Sequence, residues 1–135
     1  MDTEYIKMAD CPEIQSLRKY EDGNYFAFFV SGKWQTVVYT YGHCLPYEDG
    51  DYAVWLPTQA QLQRMVSGSA EIWGENVYID ALSRFIGFIC QCKKGQRIKY
   101  TENIDGITSM EQLWLAFVMK VKHNKVWTGD KWEGK

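Results

Sequence analysis

An α+β fold, with a small antiparallel sheet packed against two main helices in a single domain over residues 1–135, is predicted by three observations. The runs 25–30 and 35–41 are rich in aromatic and β-branched residues and are joined by a short polar stretch, which is hairpin patterning. The segments starting at Thr58 and Ser109 each set a capping residue ahead of apolar side chains spaced three and four apart, which is helix patterning. A length of 135 residues suits one domain with its own core and needs no disulfide or metal to hold it.

The elements follow in order. At Asp10-Cys11-Pro12-Glu13 an oxygen-bearing cap, a first-turn proline and an acid at the positive end of the dipole open a short helix. Ile14 and Leu17 form its inward side, and Glu21-Asp22-Gly23-Asn24 ends it with turn chemistry. Tyr25–Val30 and Gln35–Tyr41 form a hairpin through a loop at Ser31-Gly32-Lys33-Trp34. Residues 43–51, with Pro46 and Gly50, read as an irregular loop. Val54-Trp55-Leu56-Pro57 then leads into a helix over 58–66. Thr58 and Gln61 have capping-box spacing, Leu62, Met65 and Val66 make one stripe, and Ser67-Gly68-Ser69 stops the helix.

Residues 70–100 carry two patterns. Tyr78, Leu82, Phe85, Ile86 and Ile89 fit a helical stripe, whereas Phe85 to Cys90 is also an apolar run of strand length. The favoured reading is a strand over 84–92, a turn at Lys93-Lys94-Gly95 and a partner strand over 97–101. The last helix is capped by Thr108 with Glu111 or by Ser109 with Gln112, and presents Met110, Leu113, Trp114, Phe117, Val118 and Val121 as its apolar face. Lys120, Lys122, His123 and Lys125 suit the negative end of its dipole, and Asn124 suits its end. Val126 to Trp132 forms a tight turn whose two Trp rings pack back on the helix.

Composition narrows the classes of function. Apolar residues are 46% and charged residues 24%, an ordinary globular balance that excludes disorder. No apolar run is long enough to span a bilayer, so no membrane contact is expected. The acidic start Met1-Asp2-Thr3-Glu4-Tyr5 lacks the basic and apolar parts of a secretory signal. Four cysteines are too few for a disulfide scaffold and read as reduced thiols in a cytoplasm. Charge is polarised: residues 1–83 carry five Lys/Arg against twelve Asp/Glu, and residues 84–125 carry eight against three.

Residue type and spacing offer five kinds of site. His43, Cys44, Cys90 and Cys92 contain zinc-ligand types, but the spacing lacks the paired ligands two to four residues apart that structural zinc sites use, so no metal or other cofactor is expected. A catalytic thiol or serine needs a base within reach, and only His43 and His123 are available, neither in a known nucleophile motif, so no catalytic residue is assigned. Glu48, Asp49 and Asp51 crowd a loop without a calcium-loop pattern and read as a solvated acidic turn. Lys93, Lys94, Arg97 and Lys99 beside Tyr100 interleave cation and ring as a single-strand nucleic-acid binder does, and Lys120, Lys122 and Lys125 lie beside Trp127. The pI near 5.7 argues against that role. Six Trp, nine Tyr and six Phe favour an aromatic protein interface, for which Trp34, Trp55, Trp127 and Trp132 are the candidates.

The stretches Trp55-Leu56-Pro57-Thr58 with Leu62, Ser109 to Met119, and Val126-Trp127 with Gly129 and Trp132 resemble small proteins encoded by phages and prophages of Gram-positive bacteria. The likeness covers less than half of the chain and rests on a cap, an apolar helix face and Trp-bearing turns. It implies a bacterial cytoplasm and an accessory role, with no catalytic residues to carry over. The expectation is a non-enzymatic interaction protein that binds a host or phage protein, with a homodimer as one arrangement, single-stranded nucleic acid held by the basic stretch 93–99 as the alternative, and a small metal-binding protein or enzyme as the third reading.

Overall fold

The computed structural model describes residues 2–40, 53–67, 77–91, 99–100 and 106–134. These carry both helices and antiparallel strands, and the fold is α+β. Chain contacts divide it into two compact units, Met1–Thr58 and Gln59–Lys135. No helix among the described residues is long and apolar enough to cross a membrane.

The first unit opens on a helix the sequence reading did not anticipate. In α1 (Thr3–Ala9) the Asp2 carboxylate accepts from the Tyr5 N–H at 3.0 Å, and Tyr5, Ile6, Met8 and Ala9 are buried. Asp10 therefore closes α1, its N–H bonded to the Ile6 carbonyl, instead of opening the next helix. Cys11 takes the cap position of α2 (Pro12–Gln15), a single turn that buries Ile14. Leu17, expected to face inward, lies past the end of α2 and is exposed.

Strands β1 (Tyr25–Val30), β2 (Lys33–Val38) and β3 (Val54–Leu56) form one antiparallel sheet in the order β2-β1-β3. The hairpin turn is shorter than predicted. Ser31 (φ 52) and Gly32 (φ 77) alone make it, both left-handed, which is the conformation a two-residue hairpin requires to match strand twist. Lys33 and Trp34 belong to the strand, and β2 ends at Val38 rather than Tyr41. Phe26 is fully buried, with Tyr20 stacked on it at 5.1 Å and Tyr39 meeting it edge-on at 6.3 Å.

Helices α1 and α2 pack on β3. One side chain closes that border of the sheet. The Gln15 amide donates from Nε2 to the carbonyls of Ala9 (2.9 Å) and Trp55 (3.0 Å), while its Oε1 accepts from the Trp55 N–H at 2.9 Å. Both backbone groups of Trp55 are thereby paired by a side chain that imitates a neighbouring strand.

In the second unit α3 (Gln59–Ser67) runs as predicted and packs on both α4 (Val77–Ile89) and α5 (Met110–His123). Helix α4 overturns the strand predicted over 84–92; only Cys90–Gln91 is strand there, β4, paired with β5 (Lys99–Tyr100). The helical stripe was the correct pattern, but its phase differs. Ala81, Phe85 and Phe88 are buried, whereas Leu82 and Ile86 are exposed. Ring packing decides this, since Phe85 stacks on Trp114 at 4.0 Å and Phe88 meets Phe117 at 5.4 Å. The Arg84 guanidinium donates to the Val66 carbonyl in the last turn of α3 at 2.8 Å, tying the two helices together. The turn predicted at 93–95 lies outside the described residues.

Helix α5 begins where the caps indicate. The Ser109 hydroxyl accepts from the Gln112 N–H at 3.1 Å, and the buried Gln112 side chain accepts from the Thr108 N–H at 2.9 Å. Six consecutive residues, Trp114 to Met119, are buried, so this helix is enclosed all round instead of on one face, while Met110 and Val121 at its ends are exposed. Asn124 (φ 52) ends it in the left-handed conformation that side-chain amides tolerate. The tail then forms a hairpin, β6 (Lys125–Trp127) with β7 (Trp132–Gly134).

Two stability outcomes follow. Gln15→Ala strands several backbone groups at once and lowers unfolding free energy by about 2–3 kcal/mol in urea titrations. Gln15→Glu loses as much or more, because a carboxylate cannot donate to the two carbonyls. In the second unit Phe85→Ala costs about 3–5 kcal/mol by the same measurement, and the neighbouring Ile86→Ala less than about 1 kcal/mol.

Candidate interaction surface

The β1–β2 hairpin gathers apolar side chains on a face that is partly open to solvent. Register sets Tyr25 opposite Val38, Ala27 opposite Thr36 and Phe29 opposite Trp34, and strand pleating puts all six on one face. Leu56 of β3 joins them beside Tyr25. Ala27 and Val54, at the centre of this face, are buried, so the open part is the strip along β2 and the two ends of β1. There Tyr25, Phe29 and Val38 are 44%, 55% and 42% exposed, and the half-buried Trp34 ring meets Phe29 edge-on at 5.3 Å.

Backbone parity adds a second property to the same strip. Alternate residues of an antiparallel strand point N–H and C=O toward the neighbour, and the others point away. Tyr39 points inward, with its N–H bonded to the Asn24 carbonyl at 2.7 Å and its carbonyl accepting from Gly23 at 2.9 Å. Counting back by twos, Val37, Gln35 and Lys33 also point inward. Trp34, Thr36 and Val38 point outward, and among the described residues nothing pairs with their backbone. The same residues that lift partly exposed side chains onto the face present donors and acceptors at its border that are unused among the described residues.

The four Trp residues singled out from sequence are thus separated. Trp34 lies in a strand instead of at a loop tip and is part of this surface. Trp55 is 4% exposed and is a core ring, not a surface anchor, because β3 turns it onto the same face as Phe26. Its indole N–H has no acceptor among the described residues, and neither does that of Trp114. Trp127 and Trp132 are cross-strand partners in the β6–β7 hairpin, half-buried against each other with centroids 5.1 Å apart. Sequence reading missed Tyr25, Phe29 and Val38. Their alternate spacing was the available signal, but the whole run 25–30 is apolar, so it could not show which face is left open.

Of the zinc-type residues only Cys90 lies among the described residues, half-buried with its Sγ 3.3 Å from the Ile86 carbonyl. His43, Cys44 and Cys92 lie outside them, as do Lys93, Lys94 and Arg97, and the acidic loop of Glu48, Asp49 and Asp51. Among the described residues no group of three metal-ligating side chains comes together. Lys99 and Tyr100 form β5. Lys120 donates to the Asn124 side chain at 3.0 Å, and Lys122 and His123 are exposed at the end of α5. Comparisons with protein families, with curated proteins and with solved structures find no match to this chain.

The other described thiol, Cys11, is buried, and burial pushes its pKa from 9.0 up to about 11. Folding therefore strengthens its hold on the proton. That contribution to stability is complete below pH 9 and is lost as pH rises from about 9 to about 11. Relative to Cys11→Ala, the natural chain loses unfolding free energy across this window, as denaturant titrations at stepped pH will register. Iodoacetamide at pH 8 labels Cys11 in the folded chain far more slowly than in urea.

Proposed function

We propose that this chain is a non-enzymatic interaction module that takes an extended polypeptide segment along the β2 border. The observation that carries the reading is the coincidence, on Trp34, Thr36 and Val38, of outward-pointing backbone groups and a partly exposed apolar face. A segment added there gains main-chain hydrogen bonds from the border, and its alternate side chains meet Tyr25, Phe29, Trp34 and Val38. Aromatic anchors of this kind concentrate binding energy because each removes a large apolar area from water with few rotamers to fix. In keeping with the resemblance to phage and prophage accessory proteins, the segment belongs to a protein of phage or host origin in a bacterial cytoplasm, a second copy of this chain included.

Selection of a displayed random-peptide library on the full chain tests this. The natural protein enriches sequences with β-branched or aromatic residues at alternate positions. Thr36→Pro removes one outward donor without touching the inward pairing, and together with Trp34→Ala it lowers that enrichment by about tenfold or more while circular dichroism stays unchanged. An identical enriched pool from both proteins, or no enrichment from either at concentrations where the chain is monomeric, defeats the proposal.

A further inference from the structure

We infer that the strand received at the β2 border is β2 of a second copy of this chain, paired antiparallel about a two-fold axis through Thr36. This rests on the interaction reading above and names its occupant. The sheet has two borders, and they are treated differently. At β3 the Gln15 amide pairs both backbone groups of Trp55. At β2 no side chain does the same for Trp34, Thr36 or Val38 among the described residues. From Trp34 to Val38 the strand also has no charged residue, proline or bulge, the usual means by which a sheet keeps other strands away.

The border is self-complementary in three respects. The outward residues 34, 36 and 38 are symmetric about Thr36, so an inverted copy sets Thr36 against its equivalent and Trp34 against Val38, with every pair in the hydrogen-bonding phase. Trp34 opposite Val38 is an aromatic against a β-branched residue, a favourable cross-strand combination that the symmetry makes twice. Charge fixes the direction. Lys33 sits at one end of β2, while Glu21 and Asp22 adjoin Gly23, which bonds to Tyr39 just past the other end. All three are exposed and make no ion pair among the described residues. An antiparallel copy brings Lys33 toward the partner's acidic end at both extremities, whereas a parallel copy sets Lys33 against Lys33. A closed, isologous pair is the arrangement such a surface specifies.

Sedimentation equilibrium of the full chain over micromolar to submillimolar concentrations, joined to disulfide trapping, tests the inference. The natural chain sediments as a dimer. Lys33→Glu raises the dissociation constant by tenfold or more, and combining it with Glu21→Lys and Asp22→Lys restores association. Oxidised Thr36→Cys gives a covalent dimer whose bridge maps by mass spectrometry to the two substituted positions, and Val38→Cys, placed off the axis, does not. A monomer throughout, or a dimer indifferent to Lys33→Glu and unbridged at position 36, overturns the inference. A monomer that still selects peptides through Trp34 and Thr36 removes the second copy alone and leaves the strand-accepting surface standing; a monomer that selects none removes both.

Discussion

The sheet of the first unit depends on how backbone polar groups at its borders find partners. A strand at the margin of a sheet leaves half of its N–H and C=O groups facing away, and burying them unpaired costs more than most side-chain contacts return. At β3 the answer is a glutamine. Gln15 reaches Trp55 with a donor and an acceptor at once, and its second N–H holds the carbonyl that ends α1. The four-residue helix α2 is thus less a packing element than a mount for one amide. That mount lets the Trp55 backbone lie against helices α1 and α2 while its ring enters the core with Phe26.

The second unit is organised by rings instead. Phe85 lies flat on Trp114, and Phe117 meets both Phe85 and Trp114 edge-on, so three side chains from two helices lock the phase of α4 against α5. The exposed Leu82 and Ile86 are the residue of that choice: they are apolar and helically spaced, yet they fall on the side the rings do not claim. The indole N–H groups of Trp55 and Trp114, without an acceptor among the described residues, show the same preference in both units, with ring area placed ahead of a hydrogen bond.

How far the chain could be read without coordinates depended on how local the deciding physics is. The hairpin, α3 and the caps of α5 were legible because a turn or a capping residue acts on its immediate neighbours. The first helix carries a signal too, Asp2 ahead of Tyr5, Ile6, Met8 and Ala9, but at seven residues it is too short to repeat an apolar stripe. At 84–92 two periodicities were both present, and the choice was made by Trp114, some thirty residues away. The tie between Gln15 and Trp55 spans forty residues and has no sequence pattern at all. The open strip escaped notice for a related reason. Its residues are as apolar as the core, and only the sheet order shows that, among the described residues, β2 has a neighbour on one side.

The glutamine mount has a consequence for the chain's behaviour in the crowded concentrations of expression or storage. A sheet with one accessible margin can couple once and then stops growing. Were Gln15 lost and α2 loosened, the β3 margin would become accessible as well, and the same coupling could repeat without limit, giving filaments where a closed pair had ended. On the pairing inferred above, a single amide separates a finite assembly from an endless one.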